Sequence, residues 1–148
     1  MKIRTSLAAA GAAVVLATTG ALVLPAAASA HSASTTLKFI SVTKSSTMFS
    51  KTSGGQQDTD VNSAGKTVGF DMLYFKSVSA TTGNVNVTVD TTGGFLYGTL
   101  TVNFKTGATS NGKVTGGTGS FVGATGTIKG KNLNPAGTRT AVTIIYST

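Results

Sequence analysis

Alternating side-chain patterns recur in short runs along most of the chain. In residues 68–78, one face carries Val68, Phe70, Met72, Tyr74 and Val78, and the other carries Gly69, Asp71, Leu73 and Phe75. A period of two residues is typical of a β-strand. Because both faces are largely apolar, we expect this strand to be buried on one side in a core or lumen and on the other against a loop or a second subunit.

Turn-forming clusters rich in Gly, Asn, Thr and Pro separate these runs at nearly regular spacing. The pattern predicts strands over residues 37–43, 68–78, 85–89, 95–104, 113–115, 125–133 and 138–146, with a further short strand near Met48 and Phe49. No amphipathic helix is predicted after residue 30. The predicted fold class is therefore all-β, with seven or eight antiparallel strands in a barrel or a sandwich.

The N-terminus has the pattern of a secretory signal peptide. Two basic residues precede an uncharged apolar run that ends at Pro25, and residues 28–30 are the small Ala-Ser-Ala that a signal peptidase requires. We predict a signal peptide over residues 1–30, a single domain over residues 31–148 and an extracellular location. The alternative is a retained membrane anchor, since the run approaches the ~18 residues that a spanning helix needs.

Composition narrows the expected partners. The chain has no Cys, so its stability must come from a core and a hydrogen-bond ladder rather than from disulfides. It carries twelve Lys or Arg against four acidic residues, a net charge of +8. The basic residues are scattered with little aromatic interleaving, so we expect no nucleic-acid partner and, after cleavage, no membrane partner. Weak attraction to an anionic wall polymer is compatible with the charge.

The most specific local feature is a glycine-rich stretch at residues 116–126. Its defining positions are Gly116, Gly117, Gly119, Phe121, Ala124 and Gly126. The glycines permit positive φ and close backbone approach, and Phe121 is suited to plug a barrel end. The stretch fits the pattern Gly-Gly-x-Gly-x-Phe-x-x-Ala-x-Gly of the allene oxide cyclase and dirigent-protein superfamily. The chain resembles secreted bacterial proteins with an allene-oxide-cyclase-like barrel domain.

This resemblance implies a small eight-stranded antiparallel barrel whose hydrophobic lumen folds a reactive small molecule. It also implies a homo-oligomer, a trimer or a dimer, that binds a small apolar molecule without a cofactor. Dirigent proteins carry an arginine where this chain has Thr125, and allene oxide cyclases carry a glutamate where it has Val122. The resemblance therefore supports the fold more strongly than either reaction.

Three polar residues in apolar surroundings are the candidate ligand-binding groups. Asp71 shares a strand face with Leu73 and Phe75, where burial would raise its pKa, and it is the best catalytic candidate. Tyr97 is a candidate to orient a ligand oxygen. Arg139 is a candidate partner for Asp71 or for a ligand carboxylate. Each also has a simpler interpretation, as a solvated or packing side chain.

Other motifs carry less weight. Residues 107–114 have the spacing of a phosphate-binding loop, but an Asn-Gly hairpin turn at residues 111–112 is the preferred interpretation. His31 has no second histidine with which to hold copper. Asp58-Thr59-Asp60 is interpreted as a solvated loop rather than a cation site. With no Cys or Glu and one His, we expect no metal site and no catalytic triad.

Three classes of function remain open. The first is a cyclase or isomerase that works by steric moulding without a metal or covalent nucleophile. The second is a barrel that binds an apolar ligand without chemistry. The third is a structural or cell-surface adhesion protein whose lumen is packed solid. A lumen cavity of a few hundred Å³ is required for the first two.

We predict that N-terminal sequencing of protein recovered from the culture medium begins at His31. The peptidase cleaves after a small residue at its minus-one position, and Ala30 fits that requirement. Recovery of the intact N-terminus from the membrane fraction would contradict the prediction.

Overall fold

A computed structural model describes residues 33–148, and the predicted signal peptide lies outside them. The eight strands are β1 (Thr35–Met48), β2 (Ser53–Val61), β3 (Thr67–Ser77), β4 (Thr82–Thr91), β5 (Gly94–Asn103), β6 (Thr109–Gly117), β7 (Thr125–Asn132) and β8 (Arg139–Ser147). A single 3₁₀ turn at Gly119–Phe121 links β6 to β7. Within the described residues, no helix is long and apolar enough to cross a membrane.

Each strand pairs antiparallel with the next, and β1 pairs with β8 to close the sheet into a barrel. Each strand thus has a partner on both sides, although β6 and β7 pair at only two positions, Lys113 with Thr127 and Val114 with Gly126. The predicted all-β class is confirmed. The architecture is the eight-stranded antiparallel barrel and not the sandwich.

Side-chain alternation divides each strand between the lumen and the outer surface. On β4, Val85, Val87 and Val89 point inward and are buried, whereas Asn84 and Asn86 point outward and are exposed. The buried apolar side chains form one cluster: Phe39, Val85, Val87, Val89, Leu96, Leu100, Val114, Phe121, Ala124, Ile128 and Ile144. The hydrophobic core of this protein therefore consists of the inward-facing side chains of its barrel.

The glycine-rich stretch closes one end of the barrel, which we call the closed end. There Phe121 is 4% exposed, and its ring packs edge-on against Tyr146 with centroids 5.4 Å apart. Gly119 adopts φ +57°, and a Cβ on it would collide with the carbonyl of Gly93 in the β4–β5 turn. The turn thus needs glycine for both its dihedral angle and its close approach.

Strand β2 was missed by the sequence prediction, which placed Asp58 and Asp60 in a solvated loop. That prediction is wrong: both residues lie on β2 with their side chains buried. The segment opens with two glycines and two glutamines, and its inward positions are polar, so it lacks apolar alternation. A side chain at Gly54 is disfavoured, because a Cβ there would lie 2.7 Å from the backbone carbonyl oxygen of Thr47 and 2.6 Å from the ring of Phe75.

The predicted Asn-Gly hairpin turn is also wrong. Asn111 and Gly112 lie inside β6, where the pairing with β5 shifts register between Thr99 and Thr101. Asn111 has φ +52°, a conformation that asparagine tolerates better than most residues. The same left-handed preference that favours a hairpin turn here produces a β-bulge, which bends the strand as barrel closure requires.

We predict that Phe121→Ala lowers the free energy of unfolding by roughly 3 to 5 kcal/mol, because it removes a buried aromatic ring and leaves a cavity at the closed end. Val122→Ala is the matched control, since Val122 is 68% exposed, and it should cost less than about 0.5 kcal/mol. Urea unfolding followed by circular dichroism measures both. Equal stability of the two variants would show that the stretch is a loose surface loop.

Candidate ligand site in the barrel lumen

The barrel encloses a cavity of about 470 Å³. Its wall is mainly apolar and is formed by Phe39, Leu73, Phe75, Val85, Val87, Val89, Leu100, Val102, Phe104, Ile128, Val142 and Ile144. Gly107 and Gly137, from two turns at the end opposite Phe121, also line it. The cavity therefore extends from the row of Val89 and Ile144 to these turns, which we call the open end.

Three aspartates form an acidic cluster on one side of this lumen. Asp58 and Asp60 are two residues apart on β2, and Asp71 lies directly opposite Asp58 on β3. Asp58, Asp60 and Asp71 are 4%, 1% and 4% exposed. Directly opposed residues on antiparallel strands have Cβ atoms about 5 Å apart, so the three carboxyl groups meet in one place. Asp58 and Asp71 line the cavity.

Few donors reach the cluster. The Ser41 hydroxyl donates to Asp58 Oδ2 at 2.6 Å, and the Gln56 amide donates to the same oxygen at 2.8 Å. Buried oxygens without a partner remain on all three residues: Asp58 Oδ1, both Asp60 oxygens and Asp71 Oδ1. Buried polar atoms in native proteins are nearly always hydrogen-bonded, so this cluster requires a proton, a water or a ligand to satisfy it.

Protonation reduces the charge that this cluster buries. Burial, reinforced by the charge of Asp71, raises the pKa of Asp60 from 3.8 to about 9. Burial and the charge of Asp58 raise the pKa of Asp71 to about 6. At neutral pH, Asp60 is therefore mainly protonated and Asp71 mainly ionised, and the two residues titrate as a pair.

The structure separates the three predicted ligand-binding residues. Asp71 faces the cavity, on the same inward face as Leu73 and Phe75. Tyr97 is 38% exposed on the outer face of β5, next to the inward Leu96, and cannot contact a molecule in the lumen. Arg139 is exposed and neighbours the cavity-lining Thr140, so it points outward, away from Asp71. The expected roles of Tyr97 and Arg139 in the lumen are wrong.

Sequence reasoning missed Asp58, Ser41 and Gln56, which complete the polar side of the cavity. The sequence pattern contained only part of the information needed to identify these residues. Asp58 and Asp60 have the spacing of residues on one strand face, but a run with polar inward positions does not stand out as a strand. No set of three His, Cys, Asp or Glu side chains within residues 33–148 is arranged to hold a metal ion.

Two enzymes of known structure share this fold. A pyocyanin demethylase matches with a TM-score of 0.63 at 14% sequence identity, over 76% of this chain and 100% of that chain. AbnU, an exo-specific intermolecular Diels-Alderase, matches with a TM-score of 0.57 at 10% identity, over 78% of this chain and 99% of that chain. No protein-family model and no curated protein matches the sequence. The likeness shows that this chain is a small closed barrel of the kind found in these two enzymes.

The acidic cluster predicts an unusual dependence of stability on pH. Because the pKa values of Asp60 and Asp71 are higher in the folded than in the unfolded chain, the folded state binds more protons and loses stability as pH rises. This contribution is complete below about pH 4 and is lost through about pH 6 and then about pH 9. The melting temperature should fall by about 4 °C or more between pH 5 and pH 8.5.

Asp60→Asn should remove most of this fall, since the amide cannot ionise. Asp90→Asn is the control, because it removes the same charge from outside the lumen. Asp90 follows the inward-facing Val89 on β4, so its side chain faces outward. Differential scanning calorimetry of the three proteins measures the effect. A wild-type melting temperature that is constant or rises over this pH range would contradict it.

Proposed function

We propose that this protein is a secreted barrel that binds a small, largely apolar molecule in its lumen and guides the cyclisation or isomerisation of that molecule. The observation that carries the proposal is the cavity of about 470 Å³ inside a closed barrel, with apolar walls and one acidic side. Sites for small molecules are typically concave and mostly apolar, with a few polar groups that fix orientation.

The cavity also weighs against the structural alternative. A barrel used only as an extracellular scaffold or adhesion module would be most stable with a filled lumen, because voids forfeit packing contacts. Here the apolar side chains of β3, β4, β5 and β8 leave space between them. A chain that leaves this volume open and places three carboxyl groups beside it has a wall suited to a ligand.

The chemistry available in this lumen matches ring closure or isomerisation. A rigid apolar wall holds a flexible substrate in a folded conformer, which lowers the entropic part of the barrier. Asp71, with its pKa of about 6, supplies either a proton or a carboxylate near neutral pH to stabilise charge that develops during reaction. One structural neighbour is named for a ring-forming reaction, the Diels–Alder addition. The glycine-rich motif and its resemblance to allene oxide cyclases support the same class.

Self-association is part of the proposal. The outer face of β3 carries Val68, Phe70, Met72 and Tyr74, between 43% and 54% exposed, and Phe49 stacks on Tyr74. A continuous apolar patch of this kind on a soluble protein favours contact with another protein surface. A second copy of the chain, in a dimer or trimer, would cover it.

We predict that N-phenyl-1-naphthylamine, a neutral apolar dye, binds in the lumen with enhanced fluorescence. Leu100→Trp should weaken this binding at least about tenfold, because the indole occupies cavity volume beside Val87 and Val102. Thr99→Trp is the matched control, since Thr99 is the exposed, outward neighbour of Leu100 on β5, and it should leave the affinity unchanged.

The wild-type chain contains no Trp, so each variant also reports its own position. The Leu100→Trp indole should emit at shorter wavelength than the Thr99→Trp indole and should be quenched by bound dye. Equal dye affinity in the two variants, or no dye binding to the wild type, would contradict a ligand-binding lumen.

A further inference from the structure

Charge is distributed across the barrel wall in an unusual way. Three of the chain's four acidic residues belong to the buried cluster in the lumen. All ten basic residues between positions 33 and 148 are exposed. Among residues 33–148, no Lys, Arg or His lines the cavity. A protein that is strongly basic overall therefore has a lumen whose only ionisable side chains are acidic.

The cluster is incomplete in a way that points into the cavity. Asp58 Oδ1 and Asp71 Oδ1 are buried without a hydrogen-bond partner, and both residues form part of the cavity wall. The Ser41 hydroxyl donates to Asp58 Oδ2, and the Gln56 amide donates to Asp58 Oδ2 and to Thr43 Oγ1, so neither reaches these two oxygens. A proton on Asp60 neutralises that carboxyl group but leaves Asp71 ionised at neutral pH, so the lumen keeps a negative charge. Leaving a buried charge uncompensated costs several kcal/mol.

The chemistry of the wall selects among the groups that would compensate this charge. An anion would be repelled at a few Å, and a neutral hydrocarbon would leave the carboxylate oxygens unsatisfied. A hard divalent cation needs six or more oxygen ligands, whereas most of this wall is aliphatic or aromatic. We propose that the lumen binds an organic cation, an apolar body with one positively charged nitrogen held against Asp71 and Asp58.

The aromatic part of the wall suits the same ligand. Phe39, Phe75 and Phe104 line the cavity, and Phe75 packs edge-on against Phe104 with centroids 6.3 Å apart. Phenyl faces attract a cation when water is excluded. Phe75 lies four residues from Asp71 on the same face of β3, about 13 Å along the strand, which leaves room for a fused ring system between them.

This inference rests on the proposed function, so its test separates the two. N-methylquinolinium and 1-methylnaphthalene have the same shape and differ in charge. At pH 8, above the pKa of about 6 of Asp71, NMR shift titrations of the protein should show the cation binding at least about tenfold more tightly than its neutral isostere. Asp71→Asn should abolish that preference without weakening the neutral probe, and Asp58→Asn should reduce it. Asp90→Asn, which removes an equal charge outside the lumen, should leave it intact.

Equal affinities for the two probes in the wild type would overturn the inference while leaving an apolar binding lumen in place. A preference that survives both Asp71→Asn and Asp58→Asn would also overturn it. Displacement of the organic cation by millimolar Ca²⁺ would assign the cluster to a metal instead. If neither probe binds but the naphthylamine dye does, the cation is excluded; if the dye also fails, the proposed function falls with it.

Discussion

Burial of three carboxyl groups side by side is the constraint on which the rest of this barrel depends. Desolvation disfavours their charged forms, and each carboxylate disfavours its neighbours. The three carboxyl groups are held on β2 and β3, which lie between β1 and β4 in a closed ladder. The glycines of the closed end and the plug of Phe121 keep that ladder closed. The acidic cluster thus lowers the stability of the fold, as is common at sites where a protein binds or reacts.

Most of the strands were accessible from the sequence, whereas the polar side of the site was not. Val85, Val87 and Val89 alternate with polar neighbours, so β4 is visible from residue types alone. On β2, the inward positions are Gly54, Gln56, Asp58 and Asp60, and the alternation that marks a strand disappears. The strand was missed because its inward-facing positions are glycine or polar rather than hydrophobic.

Choosing which face of a strand lines the lumen requires the closed structure. Asp71 and Leu73 were recognised as sharing a face, but β3 is apolar on both sides, and its pattern is compatible with either orientation. Tyr97 was assigned to the site as a group that could orient a ligand oxygen, whereas its side chain lies on the outer face of β5. Register decides such questions, since a shift of one residue exchanges the two faces of a strand. Closure of β1 on β8 fixes that register for the whole sheet.

The protonation of the acidic cluster is the central physical claim, and NMR measures it directly. The chain contains four Asp and no Glu, so the side-chain carboxyl carbons give four signals that can be followed from pH 3 to pH 10. The account predicts that Asp60 and Asp71 titrate well above the usual range, in coupled steps near pH 9 and pH 6. Titration of all four carboxyl groups near pH 4 would show that the cluster is hydrated, and would contradict the account of a dry, acidic lumen.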